Sequence, residues 1–119
     1  MKLFGKKESR AVKMARESVR AFEKALAIVQ KCDSIGDNEI KELAEALEPS
    51  PSVGTDSSHF VQGMIDNVNV DYLSYVRKTM SSGQKPCDKN RFVKDEIERR
   101  LKLGLEMWEK SLRELEHSS

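Results

Sequence analysis

The chain has 119 residues, of which 38% are hydrophobic and 34% charged, and it carries a net charge of +1. That is the length of one domain with apolar material for one modest core, and its aliphatic content and balanced charge separate it from disordered tails. A mean hydropathy of −0.62, without a run of about 20 apolar residues, argues against a transmembrane helix.

The N-terminal stretch Met1-Lys2-Leu3-Phe4-Gly5-Lys6-Lys7 is basic but has no apolar h-region, so it does not read as a secretory signal. Gly5 is not at the second position, which removes the myristoylation pattern. Residues 1–7 read as a flexible basic start. Two cysteines, Cys32 and Cys87, are too few for a disulfide scaffold and form no C-x-x-C pair. They read as free thiols in a cytoplasmic protein.

Four helical segments follow, with breakers between them. In the first, about residues 8–32, Val12, Ala15, Val19, Phe22, Leu26 and Val29 recur in steps of three and four and share one face. Gly36 reads as its left-handed end. The second, about 37–47, has Asp37 as its cap and Ile40, Leu43, Ala44 and Leu47 as its stripe. Pro49 and Pro51 stop it. Residues 48–57 then read as a mobile Pro/Ser-rich loop.

The third segment, about 58–80, carries Val61, Met64, Ile65, Val68, Tyr72 and Val76 on one stripe. Asp71, preceded by Val70, also satisfies the pattern of a fresh N-cap, so this stretch reads as one kinked helix or as two. The fourth, about 88–115, places Val93, Ile97, Leu101, Gly104, Trp108 and Leu112 on one face and would span about 40 Å. Its other face spaces acids four residues before bases: Asp95 with Arg99, Glu96 with Arg100, Glu98 with Lys102, Glu106 with Lys110 and Glu109 with Arg113. Residues 115–119 begin Leu-Glu-His, a junction that expression vectors leave, and read as a vector-derived tail or a frayed end.

No strand-like alternation or internal repeat intervenes. The expected fold is a single all-α domain over 1–119, a small antiparallel bundle of about four helices, two of them long. Heptad spacing relates Val12, Val19 and Leu26, and likewise Ala15, Phe22 and Val29. Gly104 and Ser111 weaken the corresponding seam of the fourth helix, which argues against a long coiled coil. Ala15 and Gly104 would let helices approach closely, within one chain or across a dimer.

Catalytic and metal motifs are absent from the sequence. There is no G-x-S-x-G, P-loop or G-x-G-x-x-G, and no Glu-x-x-His falls on an inward face as a bundle di-iron site would need. No cofactor is expected. Cys32, His59 and Cys87 fall on different segments, so zinc would need a composite site. Ile40–Leu47 resembles the first helix of a repressor-type helix-turn-helix, but Glu48 and Pro49 occupy the turn. Pro51 and Gly54 stand where a recognition helix would begin, and residues 42–76 contain no Lys or Arg for phosphate contacts.

Charge is unevenly spread. Residues 1–31 hold nine Lys/Arg against three Glu, and residues 32–90 hold five against ten Asp/Glu. On the first helix Lys6, Arg10, Lys13, Arg16, Arg20, Lys24 and Lys31 fall within an arc of about 120° opposite the apolar stripe. This basic face is the candidate partner-binding surface. The leading expectation is a non-enzymatic protein-interaction module, such as an adaptor, assembly factor or small regulator, that pairs with a protein partner or with itself as a homodimer. The alternative is a nucleic-acid-associated regulator using the basic face, with an anionic membrane surface a lesser option and an enzyme with a composite site third.

Overall fold

The computed structural model describes residues 9–53 and 56–117. The basic start at 1–7, including Lys6, lies outside the described residues.

Helix α1 runs Arg10–Lys31. Ser9 caps it, its hydroxyl accepting the Val12 N–H at 3.1 Å. Helix α2 runs Asp37–Leu47 with Gly36, not Asp37, at the N-cap. The Glu39 carboxylate reaches back to accept the Gly36 N–H at 2.9 Å, which displaces Asp37 one position into the first turn. There its charge still suits the positive helix end. Gly36 has φ −101°, so the left-handed end expected there does not form. Among the described residues the left-handed glycine is Gly83, φ 77°, which ends helix α3 (Ser57–Ser81). The N–H groups of Gly83 and Gln84 turn back to the carbonyls of Met80 and Thr79, a Schellman motif that satisfies two orphan carbonyls.

Helix α3 is continuous through Val70 and Asp71, which decides between the two readings of that stretch in favour of one helix. Asp56 caps it by accepting the His59 N–H at 3.1 Å. Helix α4 runs Lys89–His117, two residues past the expected end. Asp88 accepts the N–H groups of Asn90 and Arg91 at 3.2 and 3.4 Å.

The segment between α2 and α3 is more ordered than its composition implies. Pro51–Val53 form a 3-10 turn, and Ser50 and Val53 are buried. Ser50 Oγ donates to the buried Ser18 hydroxyl of α1 at 2.9 Å, and Trp108 Nε1–H of α4 donates to Ser52 Oγ at 3.2 Å. The turn is therefore docked on α1 and α4 through 53.

Direction follows from side-chain pairs. Arg16 meets Glu116, Phe22 abuts Gly104 and Gln30 reaches Glu98, so α1 and α4 run antiparallel. Tyr75 stacks on Phe92 with ring centroids 4.8 Å apart, and Asp71 bonds Arg100 at 2.7 Å, so α3 and α4 are antiparallel too. The result is an up-down-up-down bundle of four helices. The α1–α4 pairing is the most extensive, with α2 bridging α1 and α3.

The core gathers Phe22, Ala25, Val29, Leu43, Leu47, Val61, Val68, Ile97 and Leu101, among others. Because α1 lies between α2 and α4, its buried arc is wider than the predicted stripe and takes in Ser18, Ala21 and Ala25. Ala15 is fully buried, and Phe22 lies so near Gly104 that a Cβ there would come within 2.5 Å of its ring. Both small residues thus allow the close approach their sizes suggested. On the outer face of α4, Glu98–Lys102 forms as spaced, at 3.2 Å. Glu96 turns instead to Arg99 at 2.9 Å, since Arg100 is drawn across to Asp71 on α3.

Candidate functional site

The basic face of α1 can be placed residue by residue. Arg10, Lys13, Arg20, Lys24 and Lys31 are exposed and share one side of the helix. Arg16 is half-buried and its guanidinium bonds Glu116 at 3.0 Å, so its charge is directed at the end of α4. Acids interleave with the rest. Glu17 lies beside Lys13 and Arg20 in one shallow depression, and Glu17 and Glu45 flank Arg20 and Lys24 in a second. The positive potential on this side is therefore broken by carboxylates from α1, α2 and α4.

The two cysteines sit in different surroundings. The Cys32 thiol donates to the Val29 carbonyl at 3.3 Å, and burial pushes its pKa upward, which leaves less thiolate at neutral pH. Cys87 sits where α3 turns into α4. Its carbonyl accepts from Tyr72 OH at 3.2 Å and its N–H donates to Tyr75 OH at 3.0 Å. Together with Phe92, these rings staple the α3–α4 connection. Among the described residues no three His, Cys, Asp or Glu side chains gather as a metal site, so Cys32, His59 and Cys87 are not brought together.

A concavity lies elsewhere, between α3 and α4. It is a groove of about 590 Å³ open to solvent. One wall is Phe60, Gly63 and Met64 of α3, the other Leu103 and Met107 of α4, and Phe22 of α1 reaches the floor past Gly104. Leu103 is 47% and Met107 70% exposed, so the two leave a contiguous apolar patch along this wall. Among the described residues three polar side chains line the groove, His59, Asn67 and Arg100, and none of these is acidic. Arg100 closes one end. Its Nη2 donates to Asp71 Oδ2 at 2.7 Å, while its Nε is buried with no hydrogen-bond partner. From Phe60 to Asn67 the groove extends about 10 Å, or two helical turns.

This groove was passed over in the sequence because Leu103 and Met107 fall outside the α4 stripe, on the face filled by alternating charges. The available signal was their spacing of four, which places two large apolar side chains side by side on an otherwise polar surface. In comparison with known proteins, no family model, no characterised sequence and no solved structure matches the chain. Among the described residues no helix is long and apolar enough to cross a membrane.

Proposed function

We propose that the protein is a non-enzymatic interaction module whose α3–α4 groove takes up one amphipathic helix of a partner protein. The observation that carries this reading is the groove itself: a shallow apolar channel between two antiparallel helices with Leu103 and Met107 standing open to water. Apolar side chains on successive turns of a docked helix fit such a channel. Met64 and Met107 supply unbranched, polarisable walls that mould to different partners. A small-molecule pocket would enclose most of its ligand, whereas this one is open along its length.

The polar lining selects the partner's chemistry. Arg100, His59 and Asn67 can all donate hydrogen bonds, and among the described residues the lining holds no carboxylate, Asp71 meeting Arg100 at the groove's end. A partner helix with acidic residues beside its apolar face is therefore complementary. Two turns of contact are a small footprint, so affinity is expected at about 10–100 μM.

The test is a titration with an idealised 16-residue peptide bearing Leu, Phe and Met on one face and Glu on the flanks. Leu103→Glu and Met107→Glu each lie at exposed positions and leave the core untouched. Each should weaken binding at least about tenfold, and a peptide with Lys flanks should bind more weakly than the Glu version. Equal binding to the wild type and both variants would overturn the proposal. So would heparin retention lost in an Arg10→Gln, Lys13→Gln, Arg20→Gln variant while the peptide fails to bind, since that would put recognition on the basic face of α1.

A further inference from the structure

Helix α3 has a second apolar feature, separate from the stripe that packs inward. Its buried residues Val61, Ile65 and Val68 face the core. On the outward side, Gly63, Asp66, Val70, Leu73, Arg77 and Met80 recur in steps of three, four, three, four and three. All six are exposed, Val70, Leu73 and Met80 at 64%, 65% and 64%. Steps of this kind trace a nearly straight seam along a helix, the arrangement that lets two helices interlock.

The order of residues along this seam is self-complementary when reversed. If two copies of α3 lie antiparallel, centred between Val70 and Leu73, each Val70 meets Leu73 of the other copy. Each Asp66 meets Arg77, and each Gly63 meets Met80. Every contact pairs suitable chemistry: aliphatic with aliphatic, carboxylate with guanidinium, and the smallest residue with a long flexible one. Gly63 leaves this position open, since a Cβ placed there would find nothing within 4 Å. Asp66 accepts a hydrogen bond from Gln62 Nε2 at 3.0 Å, which leaves its second carboxylate oxygen for a guanidinium. A parallel pairing in register would instead set Asp66 on Asp66 and Arg77 on Arg77, which costs rather than stabilises.

From this complementarity we infer that the outward seam of α3 is an isologous interface that joins a second copy of the chain, antiparallel, about a two-fold axis. The seam from 63 to 80 is about 26 Å long and one helix, about 10 Å, wide. That strip is well short of the roughly 800 Å² per partner of a standard stable interface. The dimer is accordingly a weak, concentration-dependent one with a dissociation constant of about 0.01–1 mM. The inference does not rest on the groove proposal: Gly63 alone of the six borders the groove, and Asp66, Val70, Leu73, Arg77 and Met80 lie outside it.

Sedimentation equilibrium of the full chain from about 10 μM to 1 mM tests it. The wild type should pass from monomer to dimer across that range. Asp66→Arg and Arg77→Asp should each weaken the dimer at least about tenfold, by setting like charges face to face. The double variant, which exchanges the two charges, should restore it. Circular dichroism on the same samples checks that helix content is unchanged, as expected for two exposed positions. A wild type monomeric at 1 mM, single variants that dimerise normally, or a double variant that stays monomeric while each single is weakened would overturn the inference.

Discussion

Replacing Gly104 with alanine sets two opposed effects against each other at the α1–α4 crossing. An alanine Cβ at this position would come 2.5 and 2.9 Å from two ring carbons of Phe22, closer than carbon atoms approach. Phe22 is buried, so its ring can yield only by displacing neighbours or by moving up into the groove. Overpacking of this kind costs about 1–3 kcal/mol. Alanine in a helix interior gains about 1 kcal/mol over glycine, which leaves a net loss of roughly 0–2 kcal/mol. In a Phe22→Ala background, which alone should cost about 3–5 kcal/mol, the obstructing ring is gone. Gly104→Ala should then stabilise by up to about 1 kcal/mol. Gly63→Ala is the control: its Cβ meets nothing within 4 Å, so it should stabilise a dilute, monomeric sample by about the same amount. Urea denaturation of the four members of the cycle measures the change of sign. If Gly104→Ala stabilises the wild type as much as it stabilises Phe22→Ala, the ring does not press on the glycine. The floor assigned to the groove would then be wrong.

Ser18→Ala removes the hydroxyl that accepts from Ser50 and should cost about 1 kcal/mol by urea melt, with the 50–53 turn showing faster amide exchange. Glu96 and Glu98 have pKa values held below the ordinary carboxylate range by hydrogen bonds from Arg99 and Lys102, respectively. Their contribution is therefore fully present above the unfolded value of about 4.3 and is lost as pH falls through the lower folded values. The melting temperature should decline below about pH 4.5, and less steeply in Glu96→Gln, Glu98→Gln, as scanning calorimetry across pH 3–6 would read. Changing Arg10, Lys13 and Arg20 together to Gln should leave the melting temperature within a few degrees of the wild type, because all three are exposed. A sharp drop in a thermal melt would mean these side chains hold the fold.

The bundle was legible in the sequence because its signals are local and redundant. Val12, Phe22 and Val29 on α1, Leu43 and Leu47 on α2, and Ile97 and Leu101 on α4 recur at helical spacing, and all are buried as that spacing requires. Features set by a distant partner were not legible. Ser18 lies outside the apolar stripe of α1, and its partner Ser50 comes from 32 residues later in the chain. Glu39 competes with Asp37 for the start of α2, and only backbone geometry shows that Gly36 is the cap. The Pro/Ser composition of 48–57 describes backbone preference and says nothing of Trp108, which reaches Ser52 from 56 residues away. Surface function was the least legible. The basic face of α1 stands out in one helix taken alone, but Glu116 and Glu45 come from other helices to interrupt it. The groove requires Phe60, Leu103 and Phe22 from three helices, and the spacing of four between Leu103 and Met107 marks only one of its walls.

Methionine methyl NMR distinguishes the two surfaces within one sample. Met64 and Met107 line the groove, Met80 ends the outward seam of α3, and Met14 lies on α1. With methyl-labelled methionine at a dilution that keeps the chain monomeric, titration of the Glu-flanked peptide should shift the Met64 and Met107 methyl signals in step and leave Met14 and Met80 in place. A peptide that shifts Met14 while Met64 and Met107 stay fixed, or that moves none of the four at millimolar concentration, would contradict a helix-binding groove between α3 and α4.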